Sequence, residues 1–452
     1  MSRVIEQPRY TCALGAQQSV LAIPRAIPIL HSGPGCSNKV SAIKNSAGQQ
    51  GEGYAGGAHV PCTNATENDV VFGGEQKLNE TIQGALKVMD GDLFVVLTGC
   101  TADIVGDDVG SVVSRYKEEG YPIINVETGG FKGNNYFGHN LLLRELIEQY
   151  LGDATPSVRE NLVNVFSVVP YQNANWRGDL EAIKKLLNSI GLEVNILFGH
   201  ESRGVSEWKD IPNAEFNLVL SPWVGLEAAE LLEKKYGTPY LHIPVLPVGA
   251  EETSRFLREV GRFAGLDQKL VEKVIAQEEE RFYKYFVDTA DFFTEIKNGL
   301  PYELYTIADS TYALGVSKFL IHELGYTPKR AFLIDNVPER YKGFITEEFE
   351  KLDPEYAAHV HYEEDGGRIE AVIRGDRNRP QKTLILGSQW ENDLAREIEA
   401  AITYLSIPIL ENLILNKSYL GYAGGLRLIE DIYTNIIGNK YFTSRFRDQV
   451  FL

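Results

Sequence analysis

The feature that most constrains this chain is a repeated alternation of short apolar runs with stretches of helical periodicity. The runs are LFVVLT at Leu93–Thr98, YPIINV at Tyr121–Val126, VNVFSVV at Val163–Val169, VNILF at Val194–Phe198 and FNLVL at Phe216–Leu220. YLHIPV at Tyr240–Val245, RAFLI at Arg330–Ile334 and KTLIL at Lys382–Leu386 continue the series. Runs of this kind, bounded by Gly, Pro or Asn, suit strands buried on both faces of a parallel sheet. Between them, Asp179–Ser189 places Leu180, Ile183, Leu186 and Leu187 at helical spacing, and Ser310–Leu324 reads the same way. The sequence therefore predicts an α/β fold of βαβ units with right-handed crossovers. The 42 glycines supply the tight turns such a fold needs.

A chain of 452 residues is too long for one ordinary core and suggests three domains. The acidic, proline-containing stretch Gly152–Arg159 and the end of the polar helix pattern Asp267–Phe293 are candidate boundaries, with a third domain beginning at a strand near Leu304. The expected division is 1–155, 156–295 and 296–452. The net charge of −18 argues against a nucleic-acid or anionic-membrane partner. No apolar run approaches the ~18 residues of a membrane span. The opening MSRVIEQPRYTC has no apolar core of a secretion signal. A cytoplasmic location is expected.

The cysteines are Cys12, Cys36, Cys62 and Cys100, and none follows. A disulfide framework does not suit a large chain without a secretion signal. Buried thiols acting as small hydrophobes are one reading. The clustering favours the other, metal ligation. Cys12 lies in TCALGAQ, Cys36 in HSGPGCSNK and Cys100 in LTGCTADIVGDD, each beside glycine. In the last, an apolar run leads directly into the thiol, at the carboxyl end of a strand where α/β folds place their sites. Glycines let backbone approach a bulky inorganic cluster, and free amides can hydrogen-bond to its sulfur. The wide spacing does not match the short pairs of a mononuclear zinc site. Three such thiolates are one short of a four-cysteine cluster, so a second chain is expected to complete it. Asp107 and Asp108 read as helix caps rather than acid–base carboxylates. His31 suits either a hydrogen bond near the cysteines or a turn. His359 and His361 read as solvated rather than metal-binding. No Walker A motif is present, so ATP hydrolysis is expected elsewhere.

The segments CALGAQ, HSGPGC, TENDVVFGG at Thr66–Gly74, TGCTADIVGDD at Thr98–Asp108, GGFKG at Gly129–Gly133 and LGYAGGLRLIEDI at Leu420–Ile432 occur in an order that resembles the β-type subunit of nitrogenase component 1 and its nitrogenase-like relatives. The resemblance covers nearly the whole chain. It implies three Rossmann-like, doubly wound domains. Cys12, Cys36 and Cys100 match the β-side ligands of an [8Fe-7S] P-cluster-type iron–sulfur cluster shared with an α-type partner. Phe72 matches an aromatic on the surface where an ATP-hydrolysing, homodimeric iron protein docks; the competing reading is a core residue. An α2β2 assembly is implied. The α-type chain would hold the catalytic cofactor through a mid-chain cysteine and a late histidine. This chain has no cysteine after Cys100 and no histidine after His361. The implied role is electron relay.

The departures are Pro34, Gly130 where some members carry a serine, and the insertion GQQGEGYAGGAHVPC. The insertion adds His59 and Cys62, a fourth candidate ligand. These departures bring in a nitrogenase-like enzyme such as methylthio-alkane reductase. The substrate stays open between dinitrogen and a carbon–sulfur bond of a small thioether. The alternatives are a scaffold for nitrogenase cofactor assembly and, ranked lower, a tetrapyrrole reductase subunit.

Overall fold

The computed structural model describes residues 9–37, 60–292, 301–376 and 382–438. Among these residues the strands form three sheets, all with parallel pairing. The first contains β1 (Ala26–His31), β2 (Leu93–Thr98) and β3 (Ile123–Val126), in that order. The second contains β4 (Arg159–Phe166), β5 (Glu193–Asn195), β6 (Ala214–Val219) and β7 (Tyr240–His242), ordered β5-β4-β6-β7. The third contains β8 (Glu303–Ala308), β9 (Thr327–Leu333), β10 (Val360–Tyr362), β11 (Thr383–Gly387) and β12 (Ala401–Tyr404), ordered β10-β9-β8-β11-β12.

The α/β class expected from the apolar runs is the class the chain adopts. Alternate strand residues face opposite layers, as a pleated strand requires. On β2, Leu93, Val95 and Leu97 belong to the large common core, while Phe94 and Val96 pack with Leu78, Ile82, Val109 and Val112 of the outer helices. On β8, Leu304 and Ala308 join the common core, and Tyr305 and Ile307 pack with Ile369 and Ile373. Both sheet faces are covered, so the arrangement is doubly wound. Each buried Leu, Ile or Val contributes about 1.5–3 kcal/mol relative to exposure.

Three strands depart from the sequence reading for local reasons. β1 has no apolar-run signature because Pro28 interrupts AIPILH; as a strand of the sheet edge it tolerates the missing N–H. β5 is shorter than VNILF because Leu197, with φ of 69°, turns the chain. β7 stops at His242, just before Ile243 and Pro244. The helices match more closely: Trp176–Ser189, Gln268–Asp288 and Ser310–His322, the last two N-capped by Asp267 and Asp309. No helix among the described residues is long and apolar enough to cross a membrane.

Long-range polar contacts tie the sheets together. Arg9 forms a fully buried ion pair with Glu391 and donates to Ser388 Oγ at 3.0 Å. The segment that carries Cys12 is thereby anchored on the third sheet. Asn173 Nδ2 donates to Asp309 at 2.8 Å, and Trp223 Nε1 donates to Asp335 at 2.8 Å.

Candidate functional site

The three strands of the first sheet run parallel, so their carboxyl ends lie along one edge. β1 leads into Ser32 and the turn carrying Cys36, where the Cys36 amide bonds back to the Gly33 carbonyl. β2 leads through Gly99 into the helix Cys100–Val105. β3 leads to the glycines 129 and 130. Cys12 arrives from the N-terminal segment and forms an antiparallel bridge with Asn134, just beyond that glycine turn.

Gly130 is the point where two of these paths meet. A Cβ built there would lie 2.9 Å from Cys12 Cβ, 3.2 Å from Cys12 Sγ and 3.0 Å from Cys100 Sγ. Only glycine fits so close an approach. The Gly130 amide donates to Cys100 Sγ at 3.1 Å. The glycine turn is itself held: Asp103 Oδ2 accepts from the Gly129 amide at 3.1 Å and pairs with Lys132 at 2.8 Å. Asp103 and Lys132 form a support that sequence reasoning missed, although GGFKG contains the lysine.

Burial holds the Cys36 thiol above its ordinary value. The Ser32 hydroxyl opposes this, and Cys12, Cys100 and Cys62 push it further up. The four thiols therefore share one electrostatic neighbourhood. Cys100 is exposed, and Cys12, Cys36 and Cys62 are partly so. Deprotonating several neighbouring thiols is costly unless cations compensate, and bound iron supplies that compensation. Among the described residues, no three His, Cys, Asp or Glu groups converge closely enough for a single metal ion. Thiols brought from separate segments, two of them meeting at Gly130 with a backbone amide aimed at one sulfur, suit a polynuclear cluster instead.

Cys62 lies on the outer flank of β1. The Leu30 amide donates to the Pro61 carbonyl at 2.8 Å, and the Thr63 amide to the Leu30 carbonyl at 2.9 Å. His59 lies outside the described residues.

A short helix, Glu67–Phe72, stands beside the thiols, closed at its start by a Thr66–Asp69 capping box. It buries no residue. Phe72 is 85% exposed, Val71 70% and Val70 46%, which excludes the core reading of Phe72. This helix packs on Cys100–Val105, whose Ile104 is 74% exposed, so the two form one apolar shelf. Asp107 locks the shelf to the sheet. It accepts from the Gly74 amide at 2.9 Å and contacts His31 Nε2 at 2.9 Å, while His31 Nδ1 reaches Thr63 Oγ1 at 3.2 Å. Asp108 caps the helix Val109–Glu118 as expected. Asp107 does not; its partners are brought by tertiary structure, not by the next turn. His361 sits on the edge strand β10, stacked on Phe332 and 2.8 Å from Arg330 Nη1, an arrangement unsuited to a cation.

A family model for nitrogenase component 1 type oxidoreductases matches residues 11–437. A light-independent protochlorophyllide reductase chain of Chaetosphaeridium globosum is 24% identical over 383 residues, covering 80% of this chain and 71% of its own. The nitrogenase iron-iron protein beta chain of Rhodobacter capsulatus is 23% identical, covering 96% and 94%. The nitrogenase molybdenum-iron protein beta chain of Azotobacter vinelandii is 22% identical, covering 95% and 84%. A solved structure of nitrogenase Cp1 at pH 6.5 superposes with a TM-score of 0.78 at 20% identity, covering 97% of this chain and 94% of that one. The chain belongs to the nitrogenase component 1 type oxidoreductase family, as a β-type subunit of a nitrogenase-like enzyme.

Proposed function

We propose that this chain is the electron-relay subunit of an ATP-dependent, nitrogenase-like reductase, and that Cys12, Cys36 and Cys100 hold its half of a P-cluster-type [8Fe-7S] cluster. The observation that carries the reading is the meeting of Cys12 and Cys100 at Gly130, with Cys36 in the same electrostatic field. The cluster, when bound, stores and passes electrons. The residues of this chain do the rest. The Gly130 amide donates to Cys100 Sγ at 3.1 Å, and Ser32 opposes the upward push that burial gives the Cys36 thiol. Exposure of Cys100 supports completion of the site by an α-type subunit, in an α2β2 assembly, because an open half-site would leave sulfide in contact with water. The shelf at Phe72 supports docking of a separate, ATP-hydrolysing iron protein.

The three sheets support a division of the chain near residues 155 and 295. The nitrogenase names of two relatives support reduction of dinitrogen in the partner chain, and the sequence departures at Pro34, Gly130 and the insertion keep a thioether carbon–sulfur bond as the second candidate substrate. The test is the complex purified anaerobically with its α-type partner. Replacing Cys12, Cys36 and Cys100 together by alanine should remove most of the iron and weaken assembly. Retention of full iron content by the triple variant defeats the reading.

A further inference from the structure

Cys62 has no counterpart among the three matched thiols, yet the fold carries it to the same edge of the first sheet. We propose that Cys62 is a fourth thiolate ligand from this chain to the iron–sulfur cluster. The inference rests on the cluster reading and extends it to a residue of the insertion.

The placement begins with the backbone. Residues 61–63 extend the first sheet beyond β1 through the two Leu30 hydrogen bonds, in parallel register with Leu30 opposite Cys62. This extension brings Cys62 beside the loop that follows β1, the loop that also carries Cys36. Ser32 lies between them. Its Oγ is 3.6 Å from Cys62 Sγ, and Ser32 is also the neighbour that draws the Cys36 thiol down against burial. Cys62 Sγ also lies 3.5 Å from the Ser32 carbonyl and 3.9 Å from the Gly33 carbonyl, so it sits against the loop that leads to Cys36.

The immediate surroundings of Cys62 also offer its sulfur a backbone donor. The Asn64 amide donates to Cys62 Sγ at 3.4 Å, the same kind of contact that Gly130 makes with Cys100. That amide is turned back by Asn64 itself, whose φ of 48° lies in the left-handed region that asparagine tolerates better than most residues. Thr63, held by His31, fixes the strand from below: its Oγ1 accepts from the Ser32 amide at 3.1 Å. Loop and flank are thus stitched together around the two sulfurs. A protonated Cys62 donates to the Ser32 carbonyl at 3.5 Å. Ligation forms an Fe–S bond in place of the S–H bond, and the proton is released to solvent. No electron is gained or lost in this step.

A fourth thiolate changes the chemistry of the site. It adds one negative charge next to the iron, which makes the cluster harder to reduce, because net charge is one of the quantities that set cluster potential. It also makes this chain's ligand set equal in number to that of an ordinary four-cysteine cluster, so the chain can retain iron before its partner arrives.

The experiment uses the anaerobically purified complex, with Cys62→Ala and Cys62→Ser variants. The readouts are iron per complex, the Mössbauer spectrum of 57Fe-enriched protein and the midpoint potential. Circular dichroism checks the fold; the backbone pairing at 61–63 does not need the thiol. Loss of iron or a changed iron environment in the alanine variant, with a higher midpoint potential, is the expected result. The serine variant should retain more iron than the alanine variant, since an alkoxide can replace the thiolate. Wild-type iron content together with an unchanged Mössbauer spectrum in Cys62→Ala overturns the proposal while leaving the three-cysteine reading intact. Full iron in the triple Cys12, Cys36 and Cys100 variant instead overturns the underlying reading.

Discussion

Asp179 offers a quantitative test of how the interior is built. It lies on the helix Trp176–Ser189, fully buried, and accepts from Ser418 Oγ at 2.6 Å and from Tyr312 Oη. Burial pushes its carboxyl up to about 8; Ser418 and the Tyr419 amide pull it down, and Asp309 adds a smaller push upward. An unfolded aspartate releases its proton near pH 4. Between about pH 4 and about pH 8 the folded chain therefore binds a proton that the unfolded chain does not. The stabilisation is fully present below pH 4 and is lost as pH rises through 8. At about 1.36 kcal/mol per pH unit, the whole window sets a ceiling of roughly 5 kcal/mol. Asp179→Asn keeps the shape and one acceptor oxygen but cannot titrate. The assay is the urea midpoint followed by tryptophan emission, with Trp176 at the start of the same helix. From pH 5 to pH 8 the wild type should lose roughly 3 kcal/mol more than the asparagine variant. A constant difference between the two proteins across that range refutes the reasoning, because it would mean that Asp179 is ionised in the folded chain.

Three further outcomes are expected. Gly130→Ala sets a methyl group about 3 Å from both Cys12 and Cys100, so iron per complex should fall by at least half with circular dichroism unchanged; full iron content would contradict the close approach. Phe72→Ala removes an exposed ring, so the melting temperature should stay put while electron transfer from the iron protein drops about tenfold or more; unchanged transfer would remove Phe72 from the docking surface. Arg9→Ala strands Glu391 without its cation in a fully buried setting, and a loss of about 3–5 kcal/mol in thermal or urea stability should follow; a loss under ~1 kcal/mol would show that water reaches the carboxylate.

What is legible in the sequence is whatever is written locally. The strand Leu93–Thr98 is a continuous apolar run that leads through Gly99 into a helix beginning at Cys100, so the strand and the place of the thiol are both written locally. The capping role of Asp108 is equally local. The cap expected of Asp107 does not form because its neighbours in space, Gly74 and His31, are brought by the fold, not by the chain. The same holds for Arg9 and Glu391, which have no local signature and meet only because the first and third sheets share a core. β1 is hidden by its proline, yet it positions both Cys36 and Cys62. The local pattern marks the candidate site, and the long-range contacts that hold it in shape stay invisible.

Those contacts also bear on how electrons would enter the site. On the relay reading, a docked iron protein covers the shelf formed by Val70, Val71, Phe72 and Ile104. The shelf is not an independent flap. Its first helix packs on the helix that begins with Cys100, and Gly74, one residue past its Gly73 cap, is tied to Asp107. Asp107 in turn contacts His31, the last residue of the strand that leads to Cys36. A Cβ at Gly74 would lie 2.7 Å from His31 Cε1, so there is no slack at this joint. A docking partner that shifts the shelf must therefore either move the Cys100 and Cys36 loops together or break the Asp107 contacts. A tight linkage of this kind favours passing a small displacement from the docking surface to the thiols, since packed elements move as units. His31→Gln, which shortens that reach but retains a polar group, separates the two cases: weakened coupling should leave iron content intact and slow electron delivery, whereas an unchanged rate would show that the docking shelf and the thiol loops act independently.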